Sequence, residues 1–139
     1  MMAERPEQRN AYKGSPPRPW VRVRLTAPDG SAYEVELLAD TGNPCAIILG
    51  QTLMAALKQR AAPDLHSNFG VLRGGWLHLT MPNLGMEQDV IGFASDAVAT
   101  ATKASSPDFE GLAGLPLLRL LEYGGDADYF WVRSIRSQP

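Results

Sequence analysis

Hydrophobic and polar residues begin to alternate at Trp20, where Val21, Val23 and Leu25 interleave with Arg22 and Arg24. A period of two marks a strand with one buried face. Pro28-Asp29-Gly30 supplies turn chemistry, and Tyr33, Val35 and Leu37 then alternate with Glu34 and Glu36. The two runs predict a hairpin in which arginines of one strand face glutamates of the other. Its second strand runs straight into Asp40, and the apolar run Ala46-Ile47-Ile48-Leu49 leads away.

Leu53, Met54 and Leu57 share one face of a helix predicted over residues 51–62, with Pro63 beyond its end and a loop through Asn68. A glycine-rich stretch, residues 70–75, precedes a strand through Trp76, Leu77 and Leu79. Pro82-Asn83-Leu84-Gly85 reads as a turn and residues 86–93 as the returning strand. Residues 94–104 fit two patterns: their alanines favour a helix, whereas Val98, Thr100 and Thr102 alternate as in a strand. After a loop at residues 105–108, Pro116 suits a first helical turn. Leu117, Leu118, Leu120 and Leu121 then predict a short apolar helix, stopped by Gly124-Gly125. Residues 129–132 form the last predicted strand, with an aromatic on each face that suits burial against a partner. Residues 1–19 are polar and proline-rich and predict a disordered N-terminal tail, leaving residues 20–139 as one domain without an internal repeat.

Composition narrows the function classes. The 139 residues are 45% hydrophobic and 20% charged, with a net charge of −2 and scattered basic residues, so neither nucleic acid nor an anionic membrane is an expected partner. Cys45 is the only cysteine, and His66 and His78 stand alone, which leaves no internal disulfide, no metal-ligand spacing and no expected cofactor. No apolar run resembles a signal peptide or a membrane span, so the expectation is cytoplasmic. Phosphate-binding Gly-Lys-Ser/Thr loops and Gly-x-Ser-x-Gly turns are absent from the sequence.

The remaining candidate chemistry is a single carboxylate in a tight turn, Asp40-Thr41-Gly42, between two apolar strands. Its plain reading is a turn aspartate that orders the Asp-Thr-Gly-Asn-Pro bend. Two further motifs accompany it: the Gly70 to Trp76 stretch and Leu112-Ala113-Gly114-Leu115-Pro116-Leu117-Leu118. With Leu38-Ala39-Asp40-Thr41-Gly42, and in this order, they resemble the retroviral-type (retropepsin-like) aspartic proteases, in a single-lobe, bacterial-type form. The resemblance spans roughly residues 20–133.

That resemblance implies an all-β fold with two short helices, a closed β-barrel and one lobe per chain. It implies an aspartic endopeptidase in which two carboxylates share a proton and activate a water. No other aspartate is followed by Thr/Ser-Gly, so the second carboxylate would come from another copy, making a homodimer that acts on a peptide or protein substrate. Asp40 would be catalytic. Thr41 would brace the two turns, Gly42 would offer its amide to the carboxylate, and Gly114 would let the backbone pass behind them. Gly74, Gly75 and Trp76 would belong to a flap closing over the peptide, and residues 129–132 would form a shared interface sheet. The sequence departs from the family at Asn43-Pro44, where Ala or Ser usually follows the glycine. Asn43 therefore stands in the turn-supporting position. Two alternatives remain: a catalytically silent domain of the same fold serving peptide binding or dimerisation, and an unrelated small β-rich protein.

Overall fold

The computed structural model describes residues 6–68 and 70–135. Strands β1 (Glu7–Ala11), β2 (Trp20–Thr26), β3 (Ala32–Asp40) and β4 (Ile47–Leu49) lead into helix α1 (Gln51–Leu57). Then come β5 (Arg60–Ser67), β6 (Gly70–Met81), a 3-10 turn at Pro82–Leu84 and β7 (Met86–Ala94). Helix α2 (Asp96–Ser105), β8 (Phe109–Gly114), helix α3 (Leu115–Leu118), β9 (Leu121–Gly125) and β10 (Tyr129–Ser134) complete the order.

The fold is mostly β. Strands β2-β3-β8-β4-β7-β6 pair in that order, and β6 pairs back to β2, closing a six-stranded barrel. The β2–β3 hairpin forms as its alternation predicts, with Arg22 opposite Glu36 and Arg24 opposite Glu34. The pairs meet at 3.2 and 2.9 Å but lie at the surface, where such contacts contribute little. Gly30 closes the hairpin turn at φ +91°, a conformation that favours glycine. Inward-facing Val21, Val23, Leu25, Leu37, Leu77 and Leu79 fill the barrel, and α3 adds Leu117 and Leu118 to the same core. Each fully buried Leu or Val contributes about 1.5–3 kcal/mol. None of the described helices is long and apolar enough to cross a membrane.

Several expectations change. The described residues contain three short helices rather than two. The first ends at Leu57 instead of residue 62, because Gln59 N–H donates to Trp76 O and draws the chain into β5. Pro63, which cannot donate to a ladder, sits where the β5–β6 register shifts. Residues 96–105 resolve their double pattern as α2, whose Ser95 hydroxyl caps Val98 N–H and whose first turn carries Asp96. Gly124 and Gly125 lie within β9 instead of stopping a helix.

The expected N-terminal tail is corrected from residue 7 onward, where β1 joins β10 and β9 in a three-stranded sheet; residues 1–5 of that tail lie outside the described residues. Beyond its ladder with β10, the strand is fastened to β2 by side-chain amides rather than by apolar burial. Gln8 donates to Arg22 O at 2.9 Å and accepts from Arg22 N at 2.7 Å. Asn10 donates to Trp20 O at 3.0 Å, and Trp20 Nε1 donates to Ala11 O at 2.7 Å. Strand β10 is the centre of this sheet, with both edges taken by its own chain, so it offers no edge for the shared sheet that its sequence suggested.

Candidate active site

Asp40 is the last residue of β3 and lies half-buried, while Thr41 and Gly42 form an exposed tip. Gly42 N–H donates to Asp40 Oδ1 at 3.0 Å, so one carboxylate oxygen is held by its own turn. Asn43 N–H donates to Asp40 O at 3.1 Å, closing that turn. Asn43 Oδ1 then accepts from Cys45 N–H at 2.8 Å across Pro44, an Asx turn that uses an amide beyond the proline. The departure at Asn43-Pro44 thus builds a second turn directly onto the first.

The loop is fastened from behind. Leu115 N–H donates to Asn43 O at 3.0 Å and Gly114 N–H to Ala46 O at 2.9 Å. Gly114 pairs with Asp40 in the parallel β3–β8 ladder. A Cβ at Gly114 would overlap the carbonyl oxygen of Cys45 and lie 2.7 Å from that of Asn43. No residue with a side chain fits there without moving the turn.

By alternation along β3, Asp40 shares the outward face with Leu38. Leu38, Leu65, Phe93 and Val98 pack on the buried cluster of Cys45, Ile48 and Leu112, so the carboxylate stands at the end of an apolar patch. Burial pushes the Cys45 thiol pKa up, which keeps it a neutral packing group at ordinary pH.

The residues expected in a flap are distributed differently. The hairpin that reaches beyond the closed barrel is β5–β6, in which β5 is the added edge strand; Ser67 pairs with Gly70, which sits at φ +93°. Gly74 and Gly75 are mid-strand, opposite Ala62 and Ala61. Their lack of side chains serves packing: a Cβ at Gly74 would overlap Pro63 O in the β5 bulge, and one at Gly75 would meet Lys58 Cβ at 3.0 Å. Trp76 is half-buried under the Arg60 guanidinium, 4.8 Å from the ring centroid. It borders a cavity of about 370 Å³ together with Pro44, Ala46, Ile91, Phe93 and Pro116. Of the three flap candidates, Trp76 is the one this cavity brings to the Asp40 loop. Leu65, Ile91 and Phe93 were not singled out by the sequence, since single apolar residues in strands carry no signal of which surface they will line.

His78, to which the sequence assigned no role, bridges two carboxylates: Nδ1 lies 2.8 Å from Asp89 Oδ1 and Nε2 lies 3.0 Å from Glu87 Oε1. The Asp89 hydrogen bond, with the charges of both carboxylates, raises the His78 pKa above its ordinary value. Among the described residues no group of His, Cys, Asp and Glu is arranged to hold a metal ion. No family profile, no curated protein and no solved structure gives a match to the chain.

Proposed function

We propose that the protein is an aspartic endopeptidase whose dyad is completed by Asp40 of a second copy. The observation that carries this reading is the Asp40 turn itself. A half-buried carboxylate is held by Gly42 N–H and backed by a glycine that no other residue can replace, yet its tip is exposed. Asp29 and Asp126 make the same local bond to the amide two residues on, but only the Asp40 loop is also fastened from behind by Gly114 and Leu115 N–H. Two carboxylates brought together share one proton, because both cannot ionise side by side. The charged one takes a proton from water as that water attacks the peptide carbonyl, and the protonated one donates to the carbonyl oxygen or leaving nitrogen. The pair titrates as a unit. Thr41 and Gly42, at the exposed tip, are the residues that face the second copy, and the β5–β6 hairpin covers an extended substrate.

The occupied edges of β10 favour a second reading, a catalytically silent barrel that binds extended peptides or assembles without cutting. Mass spectrometry of a diverse peptide mixture at pH 4–7 separates the two. Cuts made by the wild type and lost in Asp40→Asn support the protease. Identical patterns from the two proteins contradict it.

A further inference from the structure

Strand β7 carries an unused edge. Along one side all of its residues pair with β6, but on the other β4 covers only Gly92–Ala94. Backbone groups of residues 86–91 on that side have no strand partner among the described residues. This open edge borders the cavity of about 370 Å³ described above, whose opposite wall is Pro44 and Ala46 of the Asp40 loop and Pro116 of α3. An open edge presents donors and acceptors at the spacing of an extended chain, and side chains of an added strand alternate between its faces.

We infer that this groove is a second binding site for the peptide substrate, which adds as a strand along β7 and places a bulky apolar side chain against Trp76, Ile91 and Phe93. The inference rests on the peptide-cleaving reading for its occupant. The wall of the groove continues the loop that holds Asp40, so a chain lying in it approaches the carboxylate through Pro44 and Ala46. The cavity is of a size to accept one aromatic side chain. Charge selects the neighbouring residue. Asp89 also lines the cavity, two positions before Ile91 and on the same face of β7, and its side chain is about half exposed. Glu87 is two positions further along that face, and His78 lies against both carboxylates. The preferred segment therefore carries a large apolar residue and a Lys or Arg two positions from it, so that the base faces Asp89.

The test uses full-length Asp40→Asn protein, which binds without cutting, and calorimetric titration with capped Ala/Thr peptides. One peptide carries Phe and Lys two residues apart in either order; in controls Phe becomes Ala or Lys becomes Glu. The Phe/Lys peptide is expected to bind at least about tenfold more tightly than either control. Ala46→Phe, which fills the cavity, should erase the preference for Phe. Asp89→Lys, at an exposed position, should reverse the Lys/Glu preference and serves if Ala46→Phe fails to fold by circular dichroism. Equal binding of all peptides, no binding of any, or preferences unmoved by the folded variants would overturn the inference. Wild-type protein that binds selectively but cuts nothing would sink the protease reading alone. Asp40-dependent cutting indifferent to the groove variants would sink the groove alone.

Discussion

The Asp40 loop and the β5–β6 hairpin face the same apolar patch but are built in opposite ways. The loop is fixed by five hydrogen bonds, three within residues 40–45 and two donated by the backbone of Gly114 and Leu115, and by a glycine behind it that leaves no slack. Strand β5 of the hairpin pairs on one side only, and its side chains are all exposed or half-exposed. Segments with few buried contacts open at lower free energy than those wired into a core. The contrast separates two tasks that conflict in one element: holding a carboxylate still, and admitting a peptide.

Removing the carboxylate has the largest expected effect. Asp40→Asn should leave the fold unchanged by circular dichroism and lower cleavage by about a thousandfold or more, measured on any peptide the wild type cuts. Gly114→Ala should cost roughly 3 kcal/mol in urea unfolding, since the added methyl overlaps Cys45 O. Val71→Ala, at an exposed position of the hairpin, should stay within about 0.5 kcal/mol of wild type. Similar losses for both would erase the distinction between loop and hairpin. Asn43→Ala should cost about 1 kcal/mol through loss of its bond to Cys45 N–H, and Asn43→Asp, which keeps an acceptor, should recover most of it. In hydrogen exchange, amides of residues 61–67 should exchange well before those of Asn43, Gly114 and Leu115.

The smallest effect concerns the distant His78 bridge. Its pKa is raised in the folded state, so the folded protein binds this proton more tightly. Its stabilisation is fully present below the ordinary histidine pKa and is lost as pH rises through the raised value. The side chains are partly exposed, which keeps the effect small. His78→Gln should therefore lower thermal stability at acidic pH and be nearly silent at pH 9. An equal effect at both pH values would contradict the charged bridge.

What the sequence made legible follows from the range of the interactions involved. The β2–β3 hairpin, its Pro28–Gly30 turn and the bend at Asp40 rest on alternation and turn chemistry within a few residues, and the structure has all three. Gly114 behind the turn was anticipated only through the resemblance; its clash with Cys45 O depends on a parallel pairing of β3 with the distant β8. Strand β1 was hidden because Gln8 and Asn10 read as unburied polar residues, whereas they hold backbone groups of β2. Strand β5 was hidden behind Ala61 and Ala62, whose helix preference yields to pairing with β6. The flap candidates shifted for a related reason: Gly74 and Gly75 mark close backbone packing, which a sequence does not distinguish from a turn.

In the proposed dyad one carboxylate from each of two copies acts together, and subunit mixing tests this most directly. Wild-type and Asp40→Asn chains are mixed at fixed total concentration, allowed to exchange, and assayed for cleavage. If every active pair needs two intact turns, activity falls as the square of the wild-type fraction, to about a quarter at an equal mixture. A linear decline, to one half at the same point, would mean that each chain works alone and would contradict the shared dyad.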